Sequence, residues 1–333
     1  MMNPFFSFII PVYNRPGEVD ELLMSFSRLD YDEDYEIVLV EDGSTIPSRP
    51  VVERYPQLPI TYFEKANSGP GPSRNYGMAR ARGDYFIILD SDVLLPINYL
   101  LEVKKELQSK YVDFFGGPDA AHVSFSDLQK AIDFTMTSFL TTGGIRGGKS
   151  GIDKFQPRSF NMGISKKAFE ATAGFGKIHP GEDPDLTFRL WKQGFESRLL
   201  PEAFVYHKRR INWKKFYQQV RKFGLVRPIL NTWHPGTAKI TYWFPSFFVI
   251  GLLVAVLLAA LGLWIFMACY GMYMMVLWAT ALVKTKNIKT AFLSLAAVLV
   301  QFLGYGTAFL QSTIALQCFK KDPQEKFPHL FFD

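Results

Sequence analysis

Short apolar runs alternate with charge-bearing stretches up to about His234, and long uncharged runs fill the rest of the chain. Phe6–Val12 (FSFIIPV), Tyr35–Val40 (YEIVLV), Tyr85–Leu89 (YFIIL) and Ala203–Tyr206 are apolar at nearly every position, Ser7 and Glu36 apart, so both of their faces are hydrophobic. Strands of a parallel sheet covered by helices on both sides have this pattern. The first part of the chain therefore predicts an α/β domain with a mostly parallel sheet. Most of these runs end in polar or acidic residues: Glu41-Asp42 follows the second and Asp90-Ser91-Asp92 the third, while His207 follows the fourth. In open α/β sheets, ligands bind outside the carboxyl ends of the strands, so several acids are expected at one mouth. Crowded carboxylates repel one another. A divalent cation with a phosphate-bearing ligand relieves that repulsion.

Beyond Tyr242 the pattern changes. Phe244 to Val283 is 40 positions without a charge, and Ala291–Leu316 is a second uncharged stretch. One membrane crossing takes roughly 20 residues. The pattern predicts crossings at about 244–263 and 264–283, turning near Gly262–Trp264, and a third at 291–316. Lys208, Arg209, Arg210, Lys214, Lys215, Arg221 and Lys222 precede the first segment, and Lys284, Lys286 and Lys289 follow the second. Basic loops face the cytoplasm, which agrees with two crossings between these groups. Three crossings place Lys320, Lys321 and Lys326 outside. Either the third segment is re-entrant or interfacial, or the tail departs from the rule.

Composition changes the picture little. The 333 residues carry a net charge of +6. The basic residues gather before the first apolar segment, which favours an anionic membrane surface over nucleic acid as partner. Trp213, Phe216, Tyr217, Val220 and Phe223 recur at helical spacing among Lys214, Lys215, Arg221 and Lys222. This predicts a basic amphipathic helix, at the membrane surface or docked on the catalytic domain. Met1-Met2-Asn3-Pro4 lacks a basic leader region, so the first apolar run reads as a strand. Cys269 and Cys318 show no metal or disulfide spacing, in keeping with a reducing compartment.

The candidate chemistry lies at the strand ends. Asp90 and Asp92, two apart after a strand, offer hard oxygen ligands suited to Mg²⁺ or Mn²⁺. His207 is a candidate third ligand. Asp42, past an early strand, suits a ribose or a base. Asn67–Gly77 is a Gly/Pro turn opening a helix, from which Arg74 can reach a diphosphate. In Gly181–Leu186 (GEDPDL), Asp183 reads as a helix N-cap with Pro184 at the first helical position, or as a general base fixed by Glu182. Gly143–Ser150 has the spacing of a nucleotide-binding P-loop, but no strand precedes it and no helix pattern follows. It reads instead as a Gly-rich loop whose Arg146 or Lys149 can touch phosphate.

FIIPVYNRPGEVDELLMSF, EIVLVEDGST, GPGPSRNYGMARARGDYFIILDSD, FNMGISKKAFEATAGF and GEDPDLTFRLWKQGF, in this order and spacing, resemble family 2 glycosyltransferases of the GT-A fold. The resemblance implies that Pro11, Tyr13 and Asp42 line a nucleotide pocket and that Arg74 lies near the nucleotide. It makes Asp90 and Asp92 the D-x-D motif that holds metal and donor, and Asp183 the catalytic base beside Glu182. It puts Asn161 and Gly163 on the acceptor side. Gln218 to Lys222 partly resembles the Q-x-x-R-W motif of processive synthases, with Lys222 in place of Trp, so Gln218 and Arg221 are acceptor-side candidates. The implied organisation is a GT-A catalytic domain over 1–210, a basic interfacial segment over 211–239 and a membrane region over 240–333. The implied activity is inverting transfer from a nucleotide-sugar donor to a hydroxyl of a lipid-linked glycan, at the cytoplasmic face of the inner membrane. Two alternatives stay open: a polyprenyl-phosphate sugar synthase, and a non-catalytic scaffold that binds nucleotide sugar.

Overall fold

A computed structural model describes residues 4–120, 125–143, 154–207 and 212–332. The Arg146 and Lys149 loop and Lys208 to Arg210 lie outside the described residues. The chain divides into two compact units. The first comprises Met1–His122, Ile152–Lys208 and Phe331–Asp333, and the second Val123–Gly151 and Arg209–Leu330.

In the first unit, β1 (Phe6–Val12), β2 (Tyr35–Asp42), β3 (Ile60–Lys65) and β4 (Tyr85–Leu89) are parallel, in the spatial order β3-β2-β1-β4. Asn161–Ser165, Phe114–Gly116 and Ser197–Leu199 extend this to a seven-stranded sheet, with Asn161–Ser165 antiparallel to its neighbours. A small second sheet joins Val93–Leu94, Val205–His207 and Asp119–Ala120. In chain order these further strands are β5 (Val93–Leu94), β6 (Phe114–Gly116), β7 (Asp119–Ala120), β8 (Asn161–Ser165), β9 (Ser197–Leu199) and β10 (Val205–His207).

Successive strand residues point to opposite faces. Phe8, Ile10, Leu39, Ile87 and Leu89 bury one face against α1 (Pro16–Phe26), α2 (Arg49–Val52) and α4 (Tyr99–Ser109). Ile9, Val38, Val40, Phe86 and Ile88 bury the other against α3 (Pro70–Met78), α7 (Lys166–Thr172) and α8 (Glu182–Lys192). This two-sided burial is why the runs are apolar almost throughout; the buried exceptions, Ser7 and Glu36, are joined by a hydrogen bond from Ser7 Oγ to Glu36 Oε1 at 2.6 Å. The strand order reverses between β1 and β4, so the crevice at their carboxyl ends is the topological switch point where such sheets bind ligands.

The second unit is helical: α5 (Asp127–Thr137), α6 (Phe139–Thr142), α9 (Trp213–Trp233), α10 (Phe244–Ala260), α11 (Ile265–Thr285), α12 (Ile288–Thr313) and α13 (Pro323–Lys326). Ser126 and Gln129 form a capping box at the start of α5, and Asn212 and Asn287 cap α9 and α12. Among the described residues, three helices are long and apolar enough to cross a membrane: Ile240–Ala260, Ile265–Thr285 and Ile288–Cys318.

Candidate active site

Three strand ends and one helix start build the site within the first unit. At the end of β1, Asn14 takes a left-handed conformation with φ 55°. Its Oδ1 accepts the N–H groups of Thr45 (2.8 Å) and Ile46 (3.0 Å), which laces β1 to the loop after β2. Pro11 lies within β1, and the Tyr13 ring just beyond is exposed. Arg15 forms an ion pair with Glu18 and lies 3.7 Å from Asp92.

At the end of β2, Asp42 is buried. Its two oxygens accept the N–H groups of Ser68 and Gly69, each at 2.9 Å, and Lys65 forms an ion pair with it. Asp42 thus holds the loop that leads into α3. Beside it, Glu41, Gly43, Ser44, Pro47, Glu64 and Lys65 line an open depression.

At the end of β4, one donor atom from each of Asp90, Asp92 and His207 lies within 4.8 Å of the others. His207 Nε2 is 3.2 Å from Asp92 Oδ1, and its ring stacks on Phe160 at 4.8 Å. β10 carries His207 to this point by pairing with β5, which follows Asp92 directly. Two carboxylates and an imidazole are a donor set that fits a divalent cation.

The fourth part is the start of α8. The spacing predicts Asp183 as the N-cap, but Gly181 takes that place and the helix begins at Glu182. Gly181 has φ 119°, a conformation open chiefly to glycine. Glu182, Asp183 and Asp185 all fall in the first turn, where the helix dipole favours negative charge. Asp185 is tied to Arg189 at 2.9 Å.

Arg74 links the two acidic ends. It is buried, its Nη2 donates to Asp90 Oδ1 at 2.7 Å and its Nη1 to Glu182 Oε1 at 3.2 Å. Its charge is held: burial opposes it, but Asp90, Glu182 and Asp183 outweigh that and raise the pKa. His179 Nδ1 lies 2.9 Å from the same Glu182 oxygen. Burial alone would raise the Glu182 pKa, but His179 and Arg74 reverse this and keep it ionised. Asp183 shifts the other way. Burial raises its pKa and the Glu182 charge adds to that, against the pull of Arg74, Arg158 and the Ser159 N–H. Asp183 Oδ1 is buried with no hydrogen-bond partner among the described residues. A carboxylate pair whose affinities are driven apart is an arrangement suited to one fixed anion and one proton acceptor.

The structure thus brings Asp90, Asp92, His207, Arg74, Glu182 and Asp183 into one network, with Asp42, Pro11 and Tyr13 at neighbouring strand ends. It gives Asn161 and Gly163 internal partners. Asn161 accepts from Tyr99 Oη (2.6 Å) and donates to the Ala203 carbonyl (2.8 Å), and the Phe115 ring lies against Gly163. Gln218 and Arg221 stand on α9 in the second unit, where Arg221 donates to Gln311 at 3.2 Å. Sequence reasoning missed Arg15, Lys65 and His179. Each lies within three residues of a recognised motif, but only the fold shows which charge it meets. It also missed Phe332, whose ring packs on Gly69 and lies 5.9 Å from the His179 ring.

Residues 7–171 match the model of the family described as Glycosyl transferase family 2. The chain carries a family 2 glycosyltransferase domain. The glycosyltransferase match covers β1 to α7 and ends before Glu182, Asp183 and His207. The poly(ribitol-phosphate) beta-N-acetylglucosaminyltransferase TarS of Staphylococcus aureus is 35% identical over 91 residues, which cover 26% of this chain and 16% of TarS. An uncharacterized glycosyltransferase of Bacillus subtilis, YwdF, is 36% identical over 123 residues, covering 36% of this chain and 44% of YwdF. The chain therefore spans well under two-thirds of these relatives. Among solved structures, the mannosyltransferase PcManGT of Pyrobaculum calidifontis, in complex with GDP-Man and Mn²⁺, superposes with a TM-score of 0.57 at 18% identity. It covers 97% of this chain and 89% of its own. Residues 1–349 of S. aureus TarS with UDP-GlcNAc give a TM-score of 0.51 at 18% identity, covering 92% and 91%. At these identities the likeness speaks for the GT-A-like fold alone.

Proposed function

We propose that this protein is an inverting glycosyltransferase. It moves a sugar from a nucleotide-diphosphate donor to a hydroxyl of a lipid-linked glycan, working from the cytoplasmic face of the inner membrane. The observation that carries this reading is the Arg74 bridge, because one guanidinium joins Asp90 at the donor end to Glu182 beside Asp183. Donor fixation and proton removal then share one rigid element.

Asp90, Asp92 and His207 would hold a divalent cation, Mg²⁺ or Mn²⁺, which when bound neutralises the charge that grows on the departing diphosphate. Asp42 and the loop it secures, with Pro11 and Tyr13, form the nucleotide end. Arg74 does not reach out to the diphosphate in this arrangement. It fixes Asp90 and keeps Glu182 anionic. Glu182 in turn keeps the neighbouring Asp183 basic. Asp183 takes the proton from the acceptor hydroxyl as that oxygen bonds to the anomeric carbon. The bond from that carbon to the phosphate oxygen breaks on the opposite face, and the nucleotide leaves with the electron pair. One displacement inverts configuration. A double displacement needs a second carboxylate nucleophile at the anomeric carbon, and every other carboxylate in the network has an assigned place. The apolar helices and the flanking basic residues support an acceptor that stays in the bilayer.

The test is donor hydrolysis and binding by detergent-solubilised full chain. UDP-, GDP- and dTDP-sugars, with UDP-GlcNAc and GDP-mannose among them, are offered with Mn²⁺, Mg²⁺ or EDTA. Metal-dependent nucleotide release from one donor supports the reading. Absence of both release and binding with every donor overturns it.

A further inference from the structure

We propose that the chain crosses the membrane twice, through α10 and α11 only, and that α12 lies on the catalytic side as an interfacial helix. Composition does not separate these helices, since α11 and α12 have the same mean hydropathy. Their surroundings do. In α10 and α11, 28% and 11% of the apolar window is buried, against 44% in α12. Leu253, Leu257, Trp264, Ile265, Met272 and Met275 stand bare along the α10–α11 hairpin. A bare, uncharged hairpin of this length fits the hydrocarbon of a bilayer.

α12 is flanked along its length by helices that carry charge. Along its first part runs α5: Asp127 pairs with Lys289 at 3.1 Å and accepts from Thr290, and Thr135 reaches the Ser294 carbonyl. α5 also carries Lys130 and Asp133. Along the rest runs α9, in the same direction. Phe216 and Val220 cluster with Ala297, Val220 lies over Gly304, Gly224 sits against Tyr305 and Ala308, and Ser312 donates to the Leu225 carbonyl at 2.7 Å. The helices approach this closely because Gly224 and Gly304 have no side chain at the contact. The apolar face of the amphipathic helix is therefore spent on α12. α9 brings Lys214, Lys215, Arg221, Lys222 and Arg227 alongside. If α12 spanned the bilayer, these basic residues would be drawn to hydrocarbon depth, which is costly for charged side chains. At the interface they meet lipid headgroups instead.

A second, independent observation is the path of the chain. It leaves the first unit after Lys208 and returns to that unit at Phe331. Phe331 forms an antiparallel bridge with Ile178, and the Phe332 N–H donates to the Lys177 carbonyl at 3.0 Å. A chain that leaves and re-enters one compact body on one side of a membrane crosses an even number of times. With two crossings, Lys284, Lys286, Lys289, Lys320, Lys321 and Lys326 share the side of the basic α9, which removes the conflict with the positive-inside rule.

The test uses single-cysteine variants of the full chain in a Cys269→Ser, Cys318→Ser background. Glu53→Cys reports the catalytic unit, Leu263→Cys the hairpin turn and Gln324→Cys the stretch after α12, all at exposed positions. Each is treated with a membrane-impermeant maleimide in intact spheroplasts and in sealed inside-out vesicles. The expected result is labelling of Glu53→Cys and Gln324→Cys in one preparation and of Leu263→Cys in the other. Labelling of Gln324→Cys together with Leu263→Cys would mean that α12 spans and overturn the proposal. Labelling of all three in one preparation would mean that the hairpin does not cross, and would overturn it equally.

Discussion

Replacing Asp183 by Asn separates catalysis from stability. In the folded protein the Asp183 carboxyl is pushed up to about 6, by burial first and by the Glu182 charge second, from an ordinary 3.8. A tenfold change in proton affinity corresponds to ~1.4 kcal/mol, so carrying this charge at neutral pH costs the fold up to ~3 kcal/mol. Asparagine is neutral at the same place and escapes this cost, in which the pull of Arg74, Arg158 and the Ser159 N–H is already counted, but its amide replaces one carboxyl oxygen with a donor that fits the site less well. A net gain of about 1–2 kcal/mol is expected near pH 7, or about 2–8 °C in melting temperature. The sign follows from proton counting. Between the unfolded and folded pKa values the native state binds the extra proton, so wild-type stability falls as pH rises through that window. The advantage of Asp183→Asn should therefore be full above about pH 6 and vanish toward about pH 4. Transfer should fall by at least ~10²-fold, with donor affinity little changed. The assay is a pH series of thermal melts on detergent-solubilised full chain, run beside transfer kinetics. A variant that is less stable at neutral pH, by the same amount at low pH, would refute the reasoning and leave Asp183 as a structural residue of the first helical turn.

Three further outcomes follow from the same network. Asp92→Ala should abolish metal-dependent donor binding, and titration of donor with and without chelator checks it; binding that persists in chelator refutes the metal assignment. Arg74→Met should lower stability by about 3–5 kcal/mol, because it strands buried Glu182, and the part-exposed Asp90 with it, without their shared cation, and denaturant unfolding against wild type reads this directly. The rate of transfer should fall as pH drops through about 6, as the raised Asp183 becomes protonated. A profile flat from about pH 5 to 8 would exclude Asp183 as the base.

Much of this was legible along the chain, for local reasons. A strand buried on both faces must be apolar at nearly every position, so β1, β2 and β4 announced themselves. Their carboxyl ends had to carry the polar groups, so Asp42, Asp90 and Asp92 stood out. His207 was visible as the polar end of another apolar run. The start of α8 was legible to within two residues: Pro184 is a helix-start signal and pointed to Asp183 as the cap, but Gly181 takes that place.

What the pattern could not supply is who meets whom. Arg74 and Glu182 are 108 positions apart, and only the packing of α3 and α8 on one face of the sheet brings them together. Arg74 read as a diphosphate ligand because an arginine at a helix start usually faces solvent, whereas here it is buried and already paired. Asp42 likewise turns to its own loop. The grouping of α5 with the apolar helices, the coverage of α12 by α9, and the return of Phe331 to the first unit are equally tertiary. Hydropathy records how badly a segment needs to leave water, and so the sequence by itself determined the strands with two apolar faces, the apolar helices and where the acids lie, but not the short or half-covered strands such as β3 and β9. It does not record whether protein or lipid covers a helix, or which charge answers a buried charge. Those were decided by long-range packing, because burial constrains residue type while the identity of the partner depends on where the whole chain places it.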